Sequence, residues 1–200
     1  MNKYLSVRRV IMGIIACFLG FALMGCEADE LVDYPGVSVD TTADLKAKSE
    51  LGKLPHKEIA QVRASVAAYH NFETAVAAGW NVDLTGYVPH MGHHFADFTL
   101  FDQDFDMLNP EILIFTGDLE DYNDRVMAGE EFSNADARLV GVEYIIPIAD
   151  LNNPPPAPEG FPGDADVWTI NKEAQAWTLH LWIGLKNPDG IFEMHNMRLP

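Results

Sequence analysis

Apolar positions along the chain fall into three regimes. They are nearly continuous from Val10 to Met24, sparse over residues 27–53, and periodic after Pro55. The first periodic stretch is HKEIAQVRASVAAYHNFETAVAAG, where Ile59, Val62, Val66, Tyr69, Phe72 and Val76 recur at steps of three and four and so share one helical face. Pro55 suits the first turn of a helix, where its missing N–H costs little, and Gly79 suits the position just past the end. The spacing predicts one amphipathic helix. After Gly79 the steps shorten to two, predicting strands at about 92–100, 111–115, 139–148 and 177–185. Asn109-Pro110, the prolines between 154 and 158, and Asn187-Pro188-Asp189-Gly190 separate them as turns. There is no internal repeat. A helix followed by strands, without βαβ alternation, predicts a single α+β domain over 54–200: one N-terminal amphipathic helix packed on a mainly antiparallel β-sheet.

The continuous regime has a different meaning. Lys3, Arg8 and Arg9 precede it, and its length falls short of the roughly 20 residues that span a bilayer. Residues 1–25 therefore read as a signal peptide. LMGC, ending at Cys26, resembles the bacterial lipobox, in which that cysteine is acylated; an ordinary signal peptide or an uncleaved anchor are the other readings. Residues 26–53 then form a flexible acidic tether. The expected address is the bacterial cell envelope, lipid-anchored. Glu27, in place of an aspartate after the cysteine, favours the outer membrane where a cell has two.

Charge narrows the partners. The chain carries 13 Lys+Arg against 30 Asp+Glu, a formal net charge of −17, and losing the signal removes only basic residues. Such a field repels nucleic acid and anionic headgroups, so membrane contact is expected through acyl chains on Cys26 alone. The two cysteines, Cys17 and Cys26, go to the signal and the lipid. Disulfides, thiol catalysis and thiolate ligands are excluded, and a metal site must use His, Asp and Glu.

Three stretches carry candidate chemistry. In TLHLWIGL, alternation puts Leu179, Leu181, Ile183 and Leu185 on one face and His180, Trp182 and Gly184 on the other. His180 lines a pocket or stands half-exposed on a solvated face. In RLVGVEYIIPI, Glu143 interrupts an apolar run, a costly setting for a carboxylate without a cation, a metal or several donors. A salt bridge to Arg63 or Arg138, or an edge position reaching water, would also serve. In YVPHMGHHFADF, His90, His93 and His94 cluster, but adjacent strand residues point oppositely, so His93 and His94 do not both point inward: one enters a pocket while its neighbour meets solvent. Gly92 before them allows a close backbone approach. His70 sits at the border of the helical stripe with Glu73 three residues on, placed for a ligand role or for a hydrogen bond to a carboxylate or carbonyl. No GxSxG, P-loop, GxGxxG, HExxH or EF-hand pattern occurs.

Several blocks, YHNFETAVAAGW, MGHHFADFTLFDQDFDMLNPEILIF, LVGVEYIIP, GFPGDADVW and WTLHLWIGLKNPDGIF, together resemble a family of bacterial secreted proteins and lipoproteins that has no assigned activity. The resemblance covers about residues 58–193. Carried over by position, it implies chemistry at His70, His94, Glu143 and His180. It also implies that His93 is incidental, since the family has an aromatic there, and that 117–137 is an acidic insertion. Three readings follow. The first is a divalent-metal site of His94, Glu143 and His180, with His70 as fourth ligand or outer partner. That donor set suits Zn²⁺ hydrolysis or non-haem iron. The second is a metal-free cleft for a small molecule or glycan, with Trp182 stacking on it. The third is a structural envelope protein whose polar cluster is an internal hydrogen-bond network.

Overall fold

The computed structural model describes residues 54–200, all within one compact unit; the expected signal peptide, Cys26 and the tether lie outside the described residues. The stretch predicted as a single helix is broken into α1 (His56–Ser65), a 3-10 turn (Ala67–His70) and α2 (Phe72–Ala78). Asn71 causes the break. It sits extended at φ −86° and ψ 109°, and its side-chain oxygen accepts from Thr74 N at 2.8 Å, capping α2. A short amide gives the backbone a local partner that competes with helix continuation. The apolar stripe survives: Ile59, Val62, Val66 and Phe72 are buried, with Tyr69 and Val76 at the margin. Gly79 closes α2 at φ 131°, where a Cβ would run into the Asp97 carboxylate.

Six strands follow: β1 (Val82–Asp83), β2 (His93–Ala96), β3 (Ile112–Gly117), β4 (Ala137–Pro147), β5 (Thr169–Asn171) and β6 (Ala176–Leu181). They form one sheet in the order β1-β2-β3-β4-β6-β5, every neighbouring pair antiparallel. The fold is α+β. The four strands expected from alternation correspond to β2, β3, β4 and β6. β1 and β5 are two and three residues long, too short to show a period. β2 ends early because Asp97 accepts from Thr99 N at 2.9 Å and turns the chain into a 3-10 turn, Phe98–Leu100.

One face of the sheet packs on the helices. Phe95, Leu113, Phe115, Val142, Tyr144, Leu179 and Leu181 meet Ile59, Val62, Val66, Phe72 and Ala75 in a single apolar core. Phe72 is central, with ring centroids 5.2 Å from Phe95 and 5.0 Å from Phe115 in edge-on contact. The acidic stretch after β3, which the resemblance implies is an insertion, is tied into the fold. It contains α3 (Tyr122–Met127), and buried Leu119 and Tyr122 anchor it in the same core.

The opposite face is also closed. Two smaller clusters lie on it, Ala96, Ile112, Ile145 and Ala176 on one side and Ile114, Val140, Trp182 and Leu199 on the other. A bulge in β4 serves both faces. Ile114 pairs with Gly141 but Phe115 pairs with Leu139, so Val140 is the extra residue. Leu139 joins the helix-side core while Val140 packs on the second face. Residues 196–200 cover this face by running along 87–91: Asn196 N donates to His90 O at 2.8 Å, and His90 N and the Tyr87 hydroxyl donate to Pro200 O at 2.9 and 2.8 Å. No helix among the described residues is long and apolar enough to cross a membrane.

Candidate metal centre

His94, Glu143 and His180 come from β2, β4 and β6 and project from the second face, between its two apolar clusters. Register brings them together. Glu143 lies directly opposite His180 on one side and Ile112 on the other, and His94 lies opposite Ile114 on the next strand out. The long His94 and Glu143 side chains meet over β3. Gly92 helps to seat β2 there: at φ 97° its bare Cα lies against Phe115 O, where a Cβ would come within 2.7 Å.

The three groups point at a common centre. His94 Nε2 lies 3.7 Å from Glu143 Oε2, and His180 Nε2 lies 3.9 Å from Glu143 Oε1. One ligand atom from each residue falls within 4.8 Å of the other two. These separations are too long for hydrogen bonds and suit ligands disposed around an ion bound at about 2.0–2.2 Å. The side chains are 4, 7 and 2 % exposed, so the gap between them is screened from solvent. His180 Nε2 is buried without a hydrogen-bond partner. Among the described residues this is the one group of His, Cys, Asp or Glu side chains placed to hold a metal ion.

Electrostatics prepares the group for a cation. Burial lowers His94 to about 4 and His180 well below its usual value, so both rings are neutral near pH 7 with a lone pair available. Burial, reinforced by the nearby Glu111, raises Glu143 to about 8, with the Thr178 hydroxyl as a hydrogen-bonding partner. The salt bridges considered for Glu143 do not form: Arg63 donates to Ile183 O and Arg138 to Gly184 O. A divalent ion replacing the Glu143 proton would satisfy a buried carboxylate that no Lys or Arg among the described residues pairs with.

No protein-family model matches the chain, and no curated protein or solved structure matches it.

The other sequence candidates are placed differently. His70 ends the 3-10 turn, exposed, in the helical layer; the sheet separates that layer from His94, Glu143 and His180, so His70 is not brought to them. His93 does not meet solvent. It is fully buried, with Nδ1 2.7 Å from Asp83 Oδ2 and the Tyr87 ring 5.3 Å away. His90 ties down the covering segment through Nδ1, 2.7 Å from Leu199 O. Trp182, expected to stack on a solute, is 1 % exposed. Its ring stacks on His180, 6.1 Å away at 20°, and its N–H donates to Glu193 O at 2.6 Å. A cavity of about 830 Å³ borders Trp182, Ile183, Leu185 and Ile191, but none of His94, Glu143 or His180 lines it. Two polar neighbours escaped the sequence reading. Alternation places Thr178 on the same face as His180 and could have flagged it; Thr85, in a loop, gave no signal.

Proposed function

We propose that this protein is a divalent-metal-binding lipoprotein of the bacterial cell envelope, with His94, Glu143 and His180 as ligands and Zn²⁺ or Fe²⁺ as the ion. The observation that carries the reading is a buried carboxyl group facing two neutral imidazoles at 3.7 and 3.9 Å, with no Lys or Arg among the described residues paired to it. Two nitrogens and one carboxylate favour these ions over Mg²⁺ or Ca²⁺, which prefer all-oxygen shells. Three protein ligands leave coordination positions free, and the ion would supply Lewis acidity there. The lipobox-like LMGC and the family resemblance over 58–193 support the address, with acylated Cys26 as the attachment.

Elemental analysis of the purified protein tests the centre. Wild type is expected to retain near-stoichiometric metal, and His94→Ala or His180→Ala to lose it. Stoichiometric metal in the double variant, or none in wild type after exposure to Zn²⁺ and Fe²⁺, would refute the assignment. Cys26→Ser is expected to move the protein from the membrane to the soluble fraction; unchanged membrane association would remove the lipid from the account.

A further inference from the structure

Thr85 lies in the turn leaving β1. Its Oγ1 stands 3.0 Å from His94 Nδ1 and donates to Gly86 O at 2.8 Å. A hydroxyl has one proton. With that proton directed to Gly86, Thr85 offers His94 only lone pairs, so the ring must carry its hydrogen on Nδ1 and donate it. His94 Nε2, 3.7 Å from Glu143 Oε2, is then the bare nitrogen. A metal needs that tautomer, and ligating histidines are commonly oriented through the other ring nitrogen.

Thr85 is itself held from behind. Asp83 Oδ1 accepts from the backbone N–H groups of Thr85 at 3.4 Å and Gly86 at 3.2 Å. Asp83 Oδ2 pairs with His93 Nδ1 at 2.7 Å, with the two side chains 3 and 0 % exposed. Asn123 clamps the Asp83 backbone, accepting from its N–H at 3.1 Å and donating to its carbonyl at 2.7 Å. A hydrogen-bonded path thus runs from His93 on one face of β2, through Asp83 and Thr85, back to His94 on the other. The two adjacent histidines are its ends.

We propose that Thr85 is the positioning residue of the metal centre, holding His94 in the Nδ1–H tautomer with Nε2 aimed at the ion, and that the Asp83–His93 pair fixes the turn that carries Thr85. This rests on the metal reading above. His93 thereby serves the neighbouring ligand without being one, which accounts for a buried imidazole beside the site but off its face.

The test uses the full chain. Metal affinity is measured by chelator competition for wild type, Thr85→Val and Thr85→Ser, with the visible spectrum of the Co²⁺-loaded forms alongside. Thr85→Val is expected to bind about 10- to 100-fold more weakly, with an altered Co²⁺ spectrum. Thr85→Ser, which keeps the hydroxyl, is expected to stay near wild type. Equal affinity and an unchanged spectrum in Thr85→Val would overturn the proposal while leaving the metal centre intact. A wild type that takes up no metal would overturn both. Should Thr85→Val fail to fold, long-range ¹H–¹⁵N correlation on wild type decides the matter: a protonated His94 Nδ1 is expected, and a protonated Nε2 overturns the assignment.

Discussion

The two faces of the sheet use the same strands for opposite ends. Toward the helices, β2, β3, β4 and β6 present Phe95, Leu113, Phe115, Val142, Tyr144, Leu179 and Leu181, which close an aromatic-rich core around Phe72. Away from them, β2, β4 and β6 present His94, Glu143 and His180, flanked by two small apolar clusters. The first face removes large apolar area from water and supplies the driving force for folding. The second is as closed to solvent yet keeps an acid and two imidazoles with no Lys or Arg partner among the described residues, an arrangement that weakens a fold unless something binds there. Stability and chemistry are separated by one residue of strand period.

The largest effect should come from the first face. Phe72→Ala removes the centre of the aromatic cluster and is expected to cost about 3–5 kcal/mol in denaturant unfolding, while any folded fraction keeps its metal affinity. A loss well below 1 kcal/mol would mean the helix-side core is not the main source of stability.

The second face should declare itself through pH. In the metal-free protein the folded Glu143 carboxyl holds its proton up to about 8, whereas the unfolded one releases it near the ordinary carboxylate value of 4.5. Between those values the folded state binds more protons, so stability falls as pH rises, by roughly 1.4 kcal/mol per unit from this group. Glu143→Gln removes this contribution. Comparing unfolding midpoints of the two proteins from pH 5 to 8 isolates it, because Glu111, raised to about 7, contributes in the same direction to both. Metal affinity should move the other way and strengthen as pH approaches 8, since ion and proton compete for one carboxylate. Parallel midpoint curves for the two proteins would deny Glu143 its buried, unpaired setting. The smallest effect is expected at His70. Exposed in the helical layer, it should leave metal content unchanged when replaced by alanine, and a loss would mean the helical layer contributes to the site.

The site was partly legible in the chain. Glu143 stood out because a carboxylate inside an apolar run demands a partner, and His94 and His180 because strand parity set them apart from neighbours with a core to join. His93 was misread because parity tells only that it opposes His94. It does not tell that Asp83 and Tyr87 lie against that side too. Thr85 and Asp83 were beyond reach, since hydrogen bonds in a turn follow no period. The helix was read as continuous because its apolar stripe runs across the Asn71 break without losing phase.

Local periodicity and composition determined what depends on near neighbours and residue types: which longer stretches are helical or extended, which residues share a face within a strand, and, with no cysteine in residues 54–200, that a metal held there meets imidazole and carboxylate and no thiolate. Strand order, the bulge at Val140, the closure of the second face by residues 196–200 and the meeting of His94 with Glu143 across β3 were decided only by the folded chain. Those features are set by hydrogen bonding between segments remote in sequence, and parity within each strand carries no information about which strand lies beside it or in what register.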